Sequence, residues 1–401
     1  MDVNTQRTPG LVVPASEKNE IFDAIIRLSQ WLDTNDYSGY DTFDGLNSQF
    51  LRRLTFEKKI LRQVLQQGVR RFPLNVRPIL GIRKSRSTKG MGFIARGYIR
   101  LHQSTHDPSW GEKARWILDW LMENESRGYS GACWGNHFDY QSRNSFVKAG
   151  VPSVVWTALI GHAFLDAYKH FGDSMFLKVA CGACEHIVRD LATYEDNGAI
   201  CISYFPTESL QVHNANTLGA SLLARCHRFA DNPEYRYRAE KGMQYTAQYQ
   251  RQNGSWYYGE KQNLQWVDNF HTAYVLDSFK YYYEGTGDDQ FNAVIDKGYR
   301  YWKNMFFLSD GRPRYYSFKT LPLDIQCCSQ AIDTLVFFHD RDPDSLALAL
   351  KVARWTIHNM QDASGYFYYR RYGKHLVNRT PTLHWGQATM MSALAGLYQF
   401  L

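Results

Sequence analysis

No stretch of the 401-residue sequence approaches the roughly 20 consecutive apolar residues that a membrane-spanning helix needs. The opening MDVNTQRTPGLVVPASEKNE likewise lacks the apolar core of a secretion signal, which predicts a cytoplasmic protein. Cysteine is sparse and odd in number: the seven, including adjacent Cys327 and Cys328, do not form the framework of a secreted disulfide scaffold. Cys181 and Cys184 make a CxxC with no second pair at zinc spacing, and no HExxH is present, so neither a metal nor a cofactor is expected. Strand signals are limited to the short aromatic runs SWYYGE and YFYYRRY.

Hydrophobic residues make up 44% of the chain and aromatics 15%, enough for a large core and too apolar for disorder. Much of that aromatic share is Tyr and Trp, whose apolar faces and polar tips suit both packing and sugar stacking. The net charge of +7 is concentrated between Arg52 and Arg100, in Arg70, Arg71, Arg77, Arg83, Lys84, Arg86 and Lys89. Such a run is either a solvated face or a contact for an anionic substrate or membrane surface.

Six segments share one pattern: a polar or His-containing start, an apolar stretch rich in small residues, and a Gly or Asp turn. They begin at Lys89, Pro152, His213, Phe270, Asp324 and His384. Each of the first five is followed by a segment with a narrower apolar stripe, such as EKARWILDWLM or LALALKVARWTIHNM, and IFDAIIRLSQWL near the N-terminus supplies the sixth. A helix apolar nearly all round is packed on both sides, whereas a striped helix shows water one face. The pattern predicts an all-α (α/α)6 toroid spanning 1–401, with 1–20 flexible and 52–89 a basic connecting segment. Long loops such as YEDNGAICISYF and QDASGYFYYRRYG precede the inner helices and gather at one end, where function is expected.

Several residues of those loops and helix starts can carry chemistry. CWGNHFDYQSR places Trp134, His137, Asp139, Tyr140, Gln141 and Arg143 together: a carboxylate for acid/base work, a guanidinium for an anionic group, a Trp for a sugar face. The plainer reading is that Asp139 and Arg143 pair and fix the loop. FPTE and VHNAN add Glu208, His213 and Asn214, with His213 expected to point into the central cavity; Asn214 or Ser209 would otherwise cap the helix. QWVDNFH offers Trp266, Asp268 and His271, an acid/base pair three residues apart or simply a cap. Asp324, His384 and Trp385 occupy the equivalent places in the last repeats. In YDTFDG, Asp41 and Asp44 are candidates for the second carboxylate of a glycosidase pair, or turn formers. Catalysis is assigned here to Asp139, Asp268, His271, His213 and Asp44, and substrate binding to the others. Converging helix N-termini favour an anionic ligand such as a uronate or sugar phosphate.

The strings YDTFDGLNS, CWGNHFDYQSR, VHNANTLGASLLAR, VDNFHTAYVLDSF and LHWGQATMMSALA resemble those of the polysaccharide biosynthesis protein VpsJ family, from about Tyr37 to the C-terminus. The resemblance implies an (α/α)6 fold similar to glucuronyl hydrolases, N-acylglucosamine epimerases and glucuronyl C5-epimerases, in an exopolysaccharide, capsule or O-antigen context. It points to Asp41, Asp44, Asp139, Gln141, Arg143, His213, Asn214, Asp268, His271 and His384. The basic segment around Arg70 to Lys89 has no match in that family.

Four functional classes follow. The first is a glycoside hydrolase-like enzyme acting on a bacterial surface glycan or exopolysaccharide, with an oligo- or polysaccharide as partner; epimerase or lyase chemistry on a sugar stands beside it. The second is a non-catalytic glycan-binding or scaffold protein. The third, a terpenoid cyclase or prenyltransferase, is suggested by RQNGSWYYGE, which resembles a QxxxGxW repeat, but the acidic DxDD or DDxxD run is absent. Nucleic-acid binding is not expected, because the basic segment carries no recognisable motif.

Overall fold

The computed structural model describes residues 11–401 apart from Asn144 and Ser209. Its helices in chain order are α1 (Ala15–Thr34), α2 (Gln49–Arg53), α3 (Lys59–Arg71), α4 (Thr88–Thr105), α5 (Pro108–Glu123), α6 (Val154–Phe171) and α7 (Ser174–Arg189). They continue with α8 (His213–Ala230), α9 (Pro233–Gln248), α10 (Asn269–Thr286), α11 (Asn292–Phe306), α12 (Ile325–Phe337), α13 (Ser345–Met360) and α14 (Thr389–Tyr398). Local chemistry sets their ends. Ser87, Ser153, Asp268 and Asp324 each accept a backbone N–H from the first turn of an inner helix. Four inner helices end on a left-handed residue, His106, Gly172, Asp231 or Gly287, and after the first three the next residue, Asp107, Asp173 or Asn232, caps the outer helix that follows. This two-residue turn reverses the chain without exposing helix ends.

Helices α4, α6, α8, α10, α12 and α14 pack in that order into a ring, with α14 returning to α4. Each carries an outer helix: α5, α7, α9, α11, α13 and, from the N-terminus, α1. The two classes differ in burial as the repeat predicted. Helix α8 is buried without interruption from His213 to Cys226, whereas α9 buries only the stripe through Tyr235, Ala239, Met243 and Thr246. The chain is an (α/α)6 toroid.

Three expectations about local structure change. Residues 15–20, expected to be flexible, form the start of α1, where Arg354 pairs with Glu17 and Glu20 across the seam of the ring. The segment 52–89 is not a plain connection, since it contains α3, which packs against the turn at Asp44–Asn47 and the strand Tyr140–Gln141. SWYYGE forms no strand. The longest hairpin instead pairs Thr193–Asp196 with Ala199–Ile202 around Asn197 and Gly198, both at positive φ, the conformation a tight hairpin turn requires.

The lower bore of the ring is filled with matched charges. Asp166 accepts from Arg96 at 2.9 Å and from Arg225 at 2.5 Å, while Arg225 also reaches His162 Nδ1 at 2.8 Å. Arg96 donates to Tyr281 at 2.7 Å, and Arg100 meets Asp333 at 2.5 Å. These residues lie two to three turns below the N-termini of the inner helices and surround a cavity of about 20 Å³, room for a water molecule. The bore is therefore plugged two to three turns below the end where the inner helices begin.

Candidate active site at the mouth of the toroid

The starts of the inner helices converge at that end, the mouth of the ring, where a cavity of about 10 Å³ is lined by His213, Asn214, Tyr258, Trp266, Asp268 and His271. Lys89, in the first turn of α4, sits 4.8 Å from the Trp156 ring of α6 and 6.0 Å from the Tyr274 ring of α10. Three carboxylate–histidine pairs stand at this end; in His213 with Glu260 both ring nitrogens are occupied, and in the other two one nitrogen has no hydrogen bond from the described residues. The first of these two is Asp268 with His271. Asp268 is buried and caps α10 by accepting His271 N–H at 3.0 Å, while its other oxygen accepts from Trp266 Nε1 at 2.9 Å and contacts His271 Nδ1 at 2.6 Å. Three bonds on one carboxylate fix the imidazole, leaving Nε2 without a hydrogen bond from the described residues on a side chain still 21% exposed. Around it, Tyr258 stacks on Trp266 with centroids 4.4 Å apart and meets the His271 ring at 4.6 Å.

The second pair joins the two ends of the chain. His384 Nδ1 contacts Asp41 Oδ2, and its Nε2 has no partner among the described residues. Burial opposes charge on Asp41, but His384 and, more weakly, His137 bring it down to about 2. Burial, aided by Lys89, pushes His384 below its ordinary value although Asp41 pulls the other way. The pair thus rests as a carboxylate beside a neutral imidazole. His137, whose Nδ1 is also unpartnered, is lowered to about 4 by burial, and burial lowers Lys89 to about 8, within reach of neutral pH.

Trp385 lies between the two pairs, edge-on to Phe43 and to Phe270 at 5.6 Å each. It owes that place to a break in the last inner helix: Trp385 and Gly386 leave helical geometry, and Gly386 holds φ 156°, which a side chain would not tolerate beside Thr382. Arg70, reaching in from α3, stands 4.5 Å above the Phe43 ring and 5.5 Å from Trp385, with Nε donating to Tyr369 at 3.3 Å. Burial raises the phenols of Tyr140, Tyr258 and Tyr315, keeping these hydroxyls neutral donors.

Other sequence candidates are committed elsewhere. Asp139 pairs with Arg52 at 2.8 Å and accepts Ala149 N–H, so it meets neither a mouth proton donor nor Arg143, whose guanidinium lies 4.5 Å over Trp266 and donates to the Asn263 carbonyl. Asp44 is sealed against Arg77 at 2.8 Å; burial pushes its carboxyl up to about 6, with Arg77 pulling down and Asp41 adding to the rise. His213 does not face the cavity with a free nitrogen, because Nε2 contacts Glu260 at 2.7 Å and Nδ1 contacts Thr246. Trp134 is wholly buried and donates to the Leu121 carbonyl, leaving no face for a sugar. Gln141 exchanges hydrogen bonds with Gln66 on α3, and Asp324 caps α12 while pairing with Arg370. Glu208 and Asn214 each keep a buried side-chain oxygen without a partner, and Ser209 lies outside the described residues. Among the described residues, no group of three or more His, Cys, Asp or Glu could hold a metal ion.

Two mouth residues were not singled out in the sequence: Arg70 stood there as part of a basic run, and Lys89 as part of that run and as the start of the first inner-helix segment. A finer signal existed for Arg70: Arg62, Gln66 and Arg70 fall at successive i, i+4 positions, a polar stripe on one face of α3. No comparable signal marks Tyr258, Tyr315 or Glu260, which arrive from loops.

No protein-family model matches the sequence, and no curated protein is similar to it, so the resemblance to the VpsJ family rests on its motifs alone. Solved structures do match in fold. A cellobiose 2-epimerase from Bacillus thermoamylovorans B4167 superposes with a TM-score of 0.62 at 11% identity, covering 78% of this chain and 87% of its own. A polysaccharide lyase matches at 0.60 with 10% identity over 96% of this chain and 98% of its own. A family 88 glycosyl hydrolase from Bacteroides vulgatus matches at 0.58 with 11% identity over 96% and 99%.

Proposed function

We propose that the mouth is the active site of a carbohydrate-active enzyme that moves protons on a sugar through histidine, as an epimerase or isomerase does. The observation that carries this is His271, held by Asp268 through Nδ1, with Nε2 lacking a hydrogen bond from the described residues, on a partly exposed ring beside a small cavity also lined by Tyr258 and Trp266. A general base needs a fixed ring, a free nitrogen and room for substrate. His384, anchored by Asp41 but itself buried, supplies a second imidazole whose Nε2 has no partner among the described residues. With a carbonyl form of a sugar bound, one imidazole in its neutral form withdraws the proton on the carbon next to the carbonyl, and the other, having first taken a proton from solvent, returns it to the opposite face. Bonds made and broken balance without an oxidant. The neutral phenols donate hydrogen bonds to the enolate oxygen that forms between the two steps.

The two-carboxylate hydrolysis expected from the sequence is less well served. Asp44, Asp139, Asp268 and Asp324 each hold a cation, a ring or a helix start, and a glycosidase needs two available carboxyls at roughly 5 to 9.5 Å. One observation favours it as a second reading: Glu208 keeps an unpartnered oxygen, and burial raises its carboxyl, as suits a general acid.

Incubating the protein in D₂O with reducing mono- and disaccharides, neutral and uronate, distinguishes the readings. Deuterium entering at the carbon beside the carbonyl, lost in His271→Ala, is the expected result. New reducing ends or an unsaturated product without deuterium entry would replace it with hydrolysis or elimination.

A further inference from the structure

Helix α3 sets a mixed face against the protein and leaves further apolar side chains outside: Val69 and Leu65 pack with Tyr40 and Ile82, while Arg62 lies 4.1 Å over the Phe146 ring, Gln66 is buried against Gln141, and Arg70 enters the mouth. Ile60 and Val64, one turn apart on the opposite face, are 72% and 64% exposed. The neighbourhood shares the character, with Phe50, Phe56, Leu74 and Ile79 each more than half exposed. Nine of the twenty large hydrophobic side chains exposed among the described residues lie between Phe50 and Ile79. Monomeric proteins do not ordinarily leave so many together in water.

Charge narrows what covers this face. Residues 50–89 hold twelve Lys or Arg and one acidic residue, Glu57. Arg53, Lys58, Arg71 and Arg83 are exposed and make no ion pair with the described residues. A second copy docked by a twofold would set these cations against their own equivalents. Nucleic acid would answer the charge and leave the apolar side chains without a role. An anionic bilayer answers both, with apolar side chains entering below the head groups and cations at the phosphate level.

We propose that the α2–α3 face docks on an anionic phospholipid bilayer. This stands apart from the assignment of the reaction, because it rests on the outward side of α3 and not on the histidines. Docking brings the mouth, which α3 borders through Arg70, to the lipid surface, and presents it to sugars carried there.

Co-sedimentation of the full chain with vesicles tests this, comparing phosphatidylcholine alone with a mixture of about seven parts phosphatidylcholine to three parts phosphatidylglycerol. The wild type is expected to bind the mixed vesicles at least tenfold more tightly than the neutral ones, and to release as salt screens the head groups. Ile60→Gln with Val64→Gln, and separately Lys58→Glu with Arg71→Glu, should each lower that affinity about tenfold. All four side chains are exposed, and unchanged thermal unfolding will show that the fold survives; if one pair fails, the other gives the reading. No binding to the mixed vesicles at low salt, or equal binding by wild type and both double variants, overturns the proposal. So does a wild-type dimer by light scattering that the Gln pair converts to monomer, which would assign the face to a second copy.

Discussion

The bore and the mouth both bury ionisable groups between the same six helices, yet they treat them in opposite ways. In the bore most charges are matched: Asp166 takes two guanidiniums, and His162 is bonded at both nitrogens, to Arg225 and to Ser221, with Asp277 the exception, one of its buried oxygens having no hydrogen bond from the described residues. In the mouth His271 and His384, unlike His213, each keep a nitrogen without a hydrogen bond from the described residues, and Lys89 is buried against an aromatic ring. A buried polar network with every atom satisfied holds a shape, whereas one left open at chosen atoms is available to a ligand. Burial alone does not mark a functional site.

That contrast can be broken most forcefully in the bore. Asp166→Asn strands two buried arginines, so unfolding in urea should show a loss of about 3 to 5 kcal/mol. In the mouth, His271→Gln should leave the urea midpoint where it is and lower turnover about a thousandfold, within the range of acid/base catalysis. Lys89→Met reverses the sign. Burial holds Lys89 near 8 against an ordinary 10.5, so its charge opposes folding at neutral pH, and the substitution should add roughly 2 to 3 kcal/mol of stability while weakening substrate binding. Between those two pH values the unfolded chain binds more protons, so this residue makes wild-type stability rise with pH there, and the variant should lack that part of the rise. The smallest effect concerns His137. Its folded value near 4 lies below the ordinary 6.5, so stability falls as pH drops through that window, by about 1 kcal/mol between pH 7 and 5.5. His137→Gln should remove that share of the slope, as followed by melting temperature.

The toroid was legible because its causes are local and repeated. Small-residue helices apolar on all sides, striped partners and Gly or Asp turns each recur at fixed positions, and six copies of a hairpin close a ring. The hairpin at Asn197 was missed because the same Asn-Gly step reads equally well as a plain loop turn. The site was harder to read because its chemistry depends on distant partners. His213 and His271 occupy matching repeat positions, but Glu260, 47 residues further on, occupies the first, while Asp268 sits in the same turn as the second. Asp139 likewise meets Arg52 rather than its sequence neighbour Arg143. Adjacent sequence tells which residue types stand at the mouth, but not which of them are free.

The seam has a consequence for biosynthesis. Helix α1 completes its packing on α13 and α14, and Arg27 bonds Gln361 across 334 positions. The Asp41–His384 pair spans the same seam. A nascent chain emerging from the ribosome can stack hairpin upon hairpin, but it holds α1 without its partners until α13 and α14 have been made. The Asp41–His384 contact waits for the same moment, so a product cut short before α13 can carry most of the ring and still lack this pair.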